Sequence, residues 1–467
     1  MKGVRQTDFA YQAVYRYLTS LISEVGTDDA RVKLPSLRQL ADRLNVSIST
    51  IQYAYSLLEK EGRVYSVAKS GYYALPVSSS SFYSSGNDLL ETVYVSARRP
   101  DMLVLSSDEP ALLLSLDSPL LLLERELVRQ YPRQLQSLSQ PCGELELRTA
   151  LAARYTSSPV RYWHADDVYI GADLRGVLEI LITVLGLKGA TVLVESPCDW
   201  GILRLLQAAG VQVIELPLQD SGCLDLDALA DLLATETVQL VLLSSGISMP
   251  MGSLMPASEK RCVAQLLEQH DCWVLENDIY GELAFEPGEW RFRDLVNADR
   301  LIVFSTFEKV IGPEAPYGYV LSRHLSAELQ RHFLLRSFRL SPIRQKAIAR
   351  LYTSGRLDQH LQVLRRLLKE RMQHMTQLLQ ERLGDTLQFI VPVGGATVWM
   401  RSLRPVDLRR VFQRLLKQRI VVAPGELFSI HGLHPQSLRL SHTFSGHHDL
   451  EAALCCLADA LRLELLD

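Results

Sequence analysis

The stretch from Lys33 to Leu75 reads "KLPSLRQLADRLNVSISTIQYAYSLLEKEGRVYSVAKSGYYAL", and its pattern decides the fold of the front of the chain. Apolar residues after Ser36 recur with helical spacing, at Leu37, Leu40, Ala41 and Leu44. A second helix is predicted after a tight turn, with Ser47 as its cap and Gly62 as its end. Its predicted buried stripe is Ile51, Ala54, Tyr55 and Leu58. Two short helices joined by such a turn form a helix-turn-helix.

A β-hairpin is predicted directly after the second helix. Two β-rich runs, Arg63–Val67 and Tyr72–Leu75, flank a turn that ends in Gly71. The outward face of the second helix carries side chains that can hydrogen-bond base edges or phosphates, namely Ser47, Ser49, Thr50, Gln52 and Tyr53. Arg38 and Lys69 stand at the flanks, where DNA phosphates would lie. This order of elements predicts a winged helix that binds a double-stranded DNA operator, and the alternative is a solvated helical face without a ligand.

The same stretch resembles the GntR family of winged helix-turn-helix repressors over about residues 8–76. The matching residues are Leu34-Pro35-Ser36, Arg38, Leu40-Ala41, Val46-Ser47, Thr50-Ile51, Ala54-Tyr55, Leu58-Glu59 and Gly62. By this resemblance, Arg38 and Gly71 lie at the DNA. Ile48 and Gln52 stand where some members carry basic residues, which leaves the operator sequence open.

Composition and charge are those of a globular protein. The 467 residues are 47% hydrophobic and 22% charged, with a net charge of −4, so the whole chain is not a polyanion binder by overall charge. The first 76 residues carry ten Lys and Arg against seven Asp and Glu, which makes the front mildly basic. Seven cysteines without a CxxC pair favour free thiols in a reducing cytoplasm and argue against a metal site. No signal peptide or membrane span is predicted, because the apolar run Ala111–Leu123 is short and broken by Asp117 and Pro119.

Residues 77–94 are predicted to form a Ser-rich linker. The linker separates a DNA-binding domain at 1–76 from a large domain at 95–467, of which about 355–467 is a smaller carboxyl-terminal α+β subdomain. In the large domain, helical patterns alternate with short β-branched runs, which are Val192–Val194, Val211–Leu216, Val238–Leu243, Cys272–Leu275 and Leu301–Phe304. This alternation predicts an α/β fold with a mainly parallel sheet, whose ligand lies beyond the carboxyl ends of the strands.

One lysine in the large domain has the surroundings of a Schiff-base site. Lys309 follows a predicted strand in "STFEKVIGPEAPYGYV", and a lysine at a sheet end can condense with an aldehyde cofactor. Asp278 in "ENDIYGEL" is a carboxylate that could pair with a protonated pyridine nitrogen, and the Tyr280 hydroxyl could contact the ring oxygen.

The large domain resembles the fold-type I, pyridoxal phosphate-dependent transferases over about residues 95–467. The matching residues are Gly143, Leu147-Arg148, Glu195-Ser196-Pro197, Pro250, Gly252, Glu276-Asn277-Asp278, Tyr280, Lys309, Gly318-Tyr319, Gly394-Gly395, Pro424-Gly425, Phe428 and Leu438-Arg439-Leu440-Ser441. Together with the GntR-like front, the chain resembles the MocR subfamily of regulators, which use pyridoxal 5′-phosphate as an effector or sensing cofactor.

The resemblance implies roles for particular residues. Lys309 would form the Schiff base, Thr306 would bind the phosphate, and Arg439 would hold a substrate-like carboxylate. Asp278 and Tyr280 would contact the ring. If the family's carboxylate aligns three residues before the tyrosine instead of two, its position is Asn277, a neutral group.

Several positions depart from the family pattern. Pro316 stands where an arginine grips the phosphate, Met249 where an asparagine meets the ring oxygen, and Asp199 where an aromatic ring stacks on the pyridine, with Trp200 adjacent. Asp173 lies in the phosphate loop and would repel a dianion, although Arg175 could offset it.

These features predict a homodimeric transcription regulator whose aminotransferase-like domain senses a small-molecule effector, with pyridoxal 5′-phosphate on Lys309 as its expected cofactor, and does not catalyse transamination. Two alternatives remain, a regulator whose large domain is a scaffold without pyridoxal phosphate, and an active aminotransferase.

Overall fold

A computed structural model describes residues 14–15, 17–18, 21, 33–44, 46–60, 64–67, 70–74, 89–130, 140–286, 288, 290–444 and 449–465. The chain divides into two compact units, Met1–Glu91 and Thr92–Asp467. Lys69 and residues 77–88 of the predicted linker lie outside the described residues.

The first unit contains the two predicted helices, α1 (Leu37–Leu44) and α2 (Ile48–Lys60). The predicted cap at Ser47 is confirmed, since the backbone N–H of Thr50 donates to its Oγ, and Ser36 caps α1 in the same way by accepting from the N–H of Gln39. The predicted stripe of α2 is confirmed too, because Ile51, Ala54, Tyr55 and Leu58 are fully buried. Their core also takes in Val14, Leu18, Leu34, Leu40, Ala41 and Val64.

The predicted hairpin follows as β1 (Val64–Val67) and β2 (Gly71–Ala74), paired antiparallel with Val67 opposite Gly71. Gly71 has a φ of 114°, a conformation that side-chain-bearing residues rarely adopt, which explains the glycine at this turn. Tyr72 in β2 stacks on Tyr55 of α2 at a ring-centroid distance of 4.2 Å, and this contact fixes the wing against the second helix.

The predicted linker is wrong at its carboxyl end. Helix α3 (Leu89–Ala97) includes its last six residues, 89–94. Leu89 and Val93 of this helix are buried, so apolar burial outweighs the polar composition that suggested a connector.

The second unit contains a seven-stranded sheet in the order β4-β12-β11-β10-β7-β5-β6. Its strands are β4 (Val168–Gly171), β5 (Thr191–Ser196), β6 (Gln212–Pro217), β7 (Val238–Ser244), β10 (Trp273–Asn277), β11 (Leu301–Thr306) and β12 (Gly318–Ser322). Only β12 runs antiparallel to its neighbours, so the predicted α/β fold with a mainly parallel sheet is confirmed. All five strand predictions are confirmed, while β4 and β12 had no strand prediction.

Helices connect and flank these strands. They are α4 (Asp117–Gln130), α5 (Leu145–Tyr155), α6 (Leu174–Val184), α7 (Trp200–Ala208), α8 (Leu226–Thr235), α9 (Ala257–Glu268), α10 (Phe292–Leu295), α11 (Glu308–Ile311), α12 (Ser326–Arg336), α13 (Pro342–Thr353) and α14 (Arg356–Leu383). A short antiparallel pair, β8 (Ile247–Ser248) and β9 (Ser253–Leu254), follows β7. None of the helices in the described part of the chain combines the length and apolar character needed to cross a bilayer.

The carboxyl-terminal part has the predicted α+β composition. A four-stranded sheet has the order β13-β14-β17-β16 and is antiparallel throughout. The strands of this sheet are β13 (Leu387–Phe389), β14 (Thr397–Ser402), β16 (Ala423–Pro424) and β17 (Ser437–Ser441). The helices of the carboxyl-terminal part are α15 (Leu408–Lys417) and α16 (Leu450–Leu463).

A distant segment also joins this part of the fold. Strand β3 (Leu103–Val104) pairs in parallel with β15 (Ile420–Val421), and the next residue, Leu105, accepts a hydrogen bond from the backbone of Ser441. The predicted subdomain at about 355–467 is therefore not contiguous in sequence, because about three residues from near position 104 complete it.

Candidate functional site

The candidate DNA interface is the amino-terminal turn and outer face of α2. Ser47 and Ser49 are exposed and Thr50 is half-buried, and the Ser47 hydroxyl lies 2.8 Å from the hydroxyls of both others. Gln52 and Tyr53 are exposed on the same helix, and Tyr53 keeps 52% of its surface accessible. A helix amino terminus suits a phosphate, because the first-turn N–H groups point outward there and the nearby hydroxyls can donate hydrogen bonds as well.

Two more predicted DNA residues lie in this unit. Arg38 is exposed on α1, and Gly71 lies at the tip of the hairpin. The structure therefore places every described residue of the predicted interface in one small domain.

The candidate ligand site of the second unit is a cavity of about 590 Å³. It lies where β10 and β11 end, since Asn277 and Thr306 are the last residues of these strands and both line it. Lys309, Tyr280 and Arg439 line it as well. A cavity beyond the carboxyl ends of parallel strands is the place that the sequence predicted for a ligand.

The Lys309 side chain contacts two acidic residues of the cavity. Its Nζ donates to the backbone oxygen of Asp108 and lies 3.6 Å from Glu109 Oε1. Burial alone lowers the pKa of Lys309, but the carboxylates of Asp108, Glu109 and Asp199 outweigh it, so the pKa lies above its usual value. The ammonium form is thereby favoured, whereas condensation with an aldehyde needs the neutral amine.

Of the two alternative ring partners, Asn277 faces the cavity and Asp278 does not line it. Asp278 Oδ2 instead accepts a hydrogen bond from Tyr155 at 2.8 Å and pairs with Arg293 at 3.1 Å. The prediction that Asp278 contacts the ring is therefore corrected. The reason is strand geometry, because neighbouring side chains at the end of β10 point to opposite sides.

Arg439 is fully buried and already engaged. Its Nη2 donates to the Ser106 carbonyl, and its Nη1 lies 3.8 Å from Asp108 Oδ2. Its guanidinium carbon also lies 4.5 Å from the Trp200 ring and 4.8 Å from the Phe428 ring. The fork that the sequence assigned to a substrate carboxylate thus contacts the protein itself, and Trp200 packs on Arg439.

Carboxylates of the chain itself cap two helices whose amino ends line the cavity. Asp173 caps α6 by accepting from the Gly176 N–H at 2.7 Å, and Asp199 caps α7 by accepting from Gly201 at 2.8 Å and Ile202 at 3.2 Å. These helix termini would otherwise offer free N–H groups to a phosphate.

Other parts of the expected phosphate grip are weak as well. The Thr306 hydroxyl donates to the Tyr317 carbonyl at 3.1 Å and accepts from the Glu308 N–H at 3.3 Å. Pro316 is exposed and offers no charge, and Met249 lines the cavity in place of an asparagine. Two of the contacts that the family makes with the cofactor are therefore missing, whereas Arg175 still lines the cavity.

Two acidic residues of the cavity were missed by the sequence reasoning. Asp108 and Glu109 belong to no recognisable motif and lie some 200 residues before Lys309 in the chain. They reach the cavity because β3, just before them, pairs with β15. Asp108 Oδ2 then accepts a hydrogen bond from the Tyr280 hydroxyl, so the residue predicted to contact a cofactor oxygen contacts a protein carboxylate.

Comparison with known proteins identifies both parts of the chain. A model of the aminotransferase class I and II family matches residues 100–453, which is more than half of the chain. The chain belongs to the aminotransferase class I and II family. A model of the bacterial regulatory proteins of the gntR family matches residues 10–73. This family member thus carries a gntR domain at its amino end, and the resemblance to the MocR subfamily is confirmed in both domains.

The relatives span nearly the whole chain. One is the uncharacterized HTH-type transcriptional regulator YjiR of Escherichia coli, 28% identical over 91% of this chain and 94% of its own length. Another is the HTH-type transcriptional regulator NorG of Staphylococcus aureus, 22% identical over 91% of this chain and 98% of its own length.

A solved structure confirms the fold of this family member. This chain is similar in structure to a Pyrococcus horikoshii kynurenine aminotransferase, with a TM-score of 0.73 and 21% sequence identity. The match covers 84% of this chain and 98% of the other. At this identity the likeness shows the fold alone.

Proposed function

We propose that this protein is a DNA-binding transcription regulator whose aminotransferase-like domain senses a small molecule. The observation that carries the proposal is the winged helix. It presents an exposed polar face on α2 and an exposed Arg38 beside it, joined in one chain to a second domain with a ligand-sized cavity. The gntR match and the regulator relatives support the same function.

The regulator is expected to work as a homodimer. Two winged helices related by two-fold symmetry would read two half-sites of an operator, as winged and helix-turn-helix dimers do. A ligand that binds one dimer arrangement better than another would shift their populations and so change the spacing of the DNA-binding domains.

The second domain is proposed to bind a ligand without transamination. Amino transfer needs a cofactor held by its phosphate and its pyridine nitrogen. Here Asp173 caps the helix after the expected phosphate loop, and the neutral Asn277 lines the cavity while the carboxylate of Asp278 does not, which supports the absence of transamination. The aminotransferase class I and II match and Lys309, which lines the cavity, favour the other candidate, a regulator with pyridoxal phosphate on this residue.

Two measurements on the purified full-length chain test the proposal. The first is binding to fragments of its own promoter region at several salt concentrations, where a specific, salt-sensitive affinity is expected. The second is the absorbance spectrum after incubation with pyridoxal phosphate, compared with Lys309→Ala.

The outcomes separate the candidates. Salt-sensitive binding to a promoter with no Lys309-dependent absorbance band supports the proposed regulator. A band that Lys309→Ala removes would establish the cofactor-bound alternative. Absence of salt-sensitive affinity for any double-stranded DNA would overturn the regulatory function itself.

A further inference from the structure

The outer face of α2 presents an isoleucine beside a glutamine. Ile48, the first residue of the helix, is 47% exposed, and Gln52 is exposed four residues later. Residues four apart in a helix are neighbours on its surface. Ile48 and Gln52 therefore form one strip on the outer face, with an apolar side chain next to an amide.

The two ends of this outer face differ in what they contact. Near the carboxyl end, Glu59 accepts hydrogen bonds from the Ser66 N–H at 3.1 Å and from the Ser66 hydroxyl at 2.7 Å, both from β1 of the hairpin. Its carboxylate would repel DNA phosphates, whereas residues 47–53 contain no carboxylate. In a helix-turn-helix the amino-terminal residues of the second helix meet the base edges, and these include Ile48 and Gln52.

The hydroxyls at the amino end of α2 carry little sequence information. Ser47 Oγ accepts from the Thr50 N–H at 3.2 Å and lies 2.8 Å from the hydroxyls of Ser49 and Thr50. A hydroxyl both donates and accepts, so it suits several base edges as well as a phosphate oxygen. These residues position the helix, and discrimination between bases is left to its neighbours.

The helix lacks the side chains that usually select guanine. Guanine is read most often by an arginine or lysine that donates to its O6 and N7, and residues 47–59 contain neither. A glutamine makes the corresponding two-bond contact with adenine, donating to N7 and accepting from the N6 amino group. Gln52 therefore favours adenine.

Ile48 favours the other base of the same pair type. The C5 methyl of thymine is the apolar group that distinguishes base pairs in the major groove. An isoleucine against a polar base edge would take water from donors and acceptors without replacing its hydrogen bonds. Against the methyl group, both apolar surfaces are removed from water instead.

We propose that α2 reads two A·T base pairs of the operator. Gln52 forms two hydrogen bonds with an adenine, and Ile48 packs on the methyl group of a thymine. One helical turn rises about 5.4 Å and base pairs are spaced by about 3.4 Å, so the two base pairs lie within about two steps of each other. The inference rests on the proposed regulatory function and names the class of base pair that its DNA-binding domain selects.

Selection from a random-sequence DNA library by the full-length protein tests the role of Gln52. The original protein should enrich a site with A·T base pairs, and Gln52→Arg should change one of them to G·C. Gln219→Arg makes the same substitution at an exposed residue of the second unit and should select the original site. A site that Gln52→Arg leaves unchanged, or an original site that already has G·C at the position it changes, would overturn the inference.

Modified bases in the selected site locate the two contacts, with fluorescence anisotropy as the measurement. Replacing the contacted adenine by 7-deazaadenine removes N7 and should weaken binding roughly threefold or more in the original but not in Gln52→Ala. Replacing thymines by deoxyuridine one at a time removes single methyl groups. At one position this should weaken binding by about threefold in the original but not in Ile48→Ala. Equal losses in the original and the matching variant would contradict that contact and overturn the inference.

Salt dependence separates this inference from the proposed function. Neither contact involves a phosphate, so Gln52→Ala and Ile48→Ala should keep the original salt slope while losing base preference. Salt-sensitive binding without a preference for A·T contradicts only the base-reading inference. No salt-sensitive affinity for any double-stranded DNA contradicts the proposed regulator.

Discussion

Arg38 is the residue whose role in DNA binding is easiest to test. It is exposed on α1, and within the described residues the cap bonds of this helix are made by Ser36 and Gln39, so the Arg38 side chain can reach a phosphate. Arg38→Ala should weaken promoter binding and reduce the slope of log affinity against log salt by about one.

The measurement is fluorescence anisotropy of a labelled promoter fragment over a range of salt concentrations. Arg175→Ala, which removes an exposed arginine from the other unit, is the control and should leave the slope unchanged. If Arg38→Ala keeps the original slope, Arg38 does not contact a phosphate.

At the end of β10, two adjacent residues, Asn277 and Asp278, have different surroundings. Asn277 lines the cavity, whereas Asp278 is turned into a buried ionic cluster with Arg293 and Glu276. There is little room around this carboxylate, because a Cβ on Gly281 would lie 1.9 Å from Asp278 Oδ1. The sequence left both residues open, since only the strand's orientation decides which side chain faces the ligand.

Arg293→Met should be strongly destabilising. It would leave the carboxylates of Glu276 and Asp278 buried without their partner, at a cost of roughly 3–5 kcal/mol in the free energy of unfolding. The control is Arg300→Met, which breaks the exposed pair of Arg300 with Asp271 and should cost about 1 kcal/mol or less.

Urea unfolding followed by tryptophan fluorescence measures both variants. All five tryptophans lie between positions 163 and 399, so this signal reports on the second unit. Equal losses in the two variants would show that the buried cluster does not depend on Arg293.

At the scale of single elements, helix α2 combines two faces with separate tasks. Its inner face carries fully buried residues such as Leu58, while its outer face carries the polar candidates for DNA contact. The sequence predicted both faces because a helix repeats every 3.6 residues, so spacing alone assigns each side chain to a side.

Leu58→Ala should therefore destabilise the winged helix through a cavity in its core, by roughly 2–5 kcal/mol. Ile48→Ala, on the same helix but 47% exposed, should change stability by less than about 0.5 kcal/mol. Amide hydrogen exchange of residues 48–60 in the full-length protein measures the loss of protection. Similar protection in the two variants would contradict the assignment of the buried face.

Strand β3 is an element that sequence periodicity does not predict. Two residues, Leu103 and Val104, pair with a strand more than 300 positions later, and this pairing carries Asp108 and Glu109 into the cavity. A two-residue strand has no detectable period in sequence. Its place depends on the burial of Leu103 and Leu105 against the carboxyl-terminal part of the unit.

At the scale of the whole molecule, acid should weaken the second unit through its buried histidines. Burial lowers the pKa of His442 from 6.5 to about 3, and burial also lowers the pKa values of His360 and His434. These histidines are therefore protonated near pH 6.5 in the unfolded chain but only at lower pH in the folded chain. The stability from each histidine is complete above pH 6.5 and is lost as the pH falls below it, by up to about 1.4 kcal/mol per pH unit.

His442→Gln isolates one of these contributions. It removes a group that titrates in this pH range only in the unfolded state. The free energy of unfolding should therefore fall less steeply between pH 6.5 and 5, with a slope smaller by about 1.4 kcal/mol per pH unit, the value for one proton. Urea unfolding by tryptophan fluorescence at several pH values measures this. A variant with the same slope as the original would show that His442 is protonated in the folded protein.

The sequence by itself determined the winged helix, the mainly parallel sheet and the position of Lys309 at a strand end. Each of these depends on local information: helical or strand period, capping residues, and the switch from strand to loop. Tertiary structure alone decided the chemistry of the cavity, in which Asp108 contacts Tyr280, Lys309 and Arg439, and Asp278 is withdrawn. The reason is that charge and hydrogen bonding in a buried site depend on which distant residues the fold brings together, and no local pattern records those neighbours.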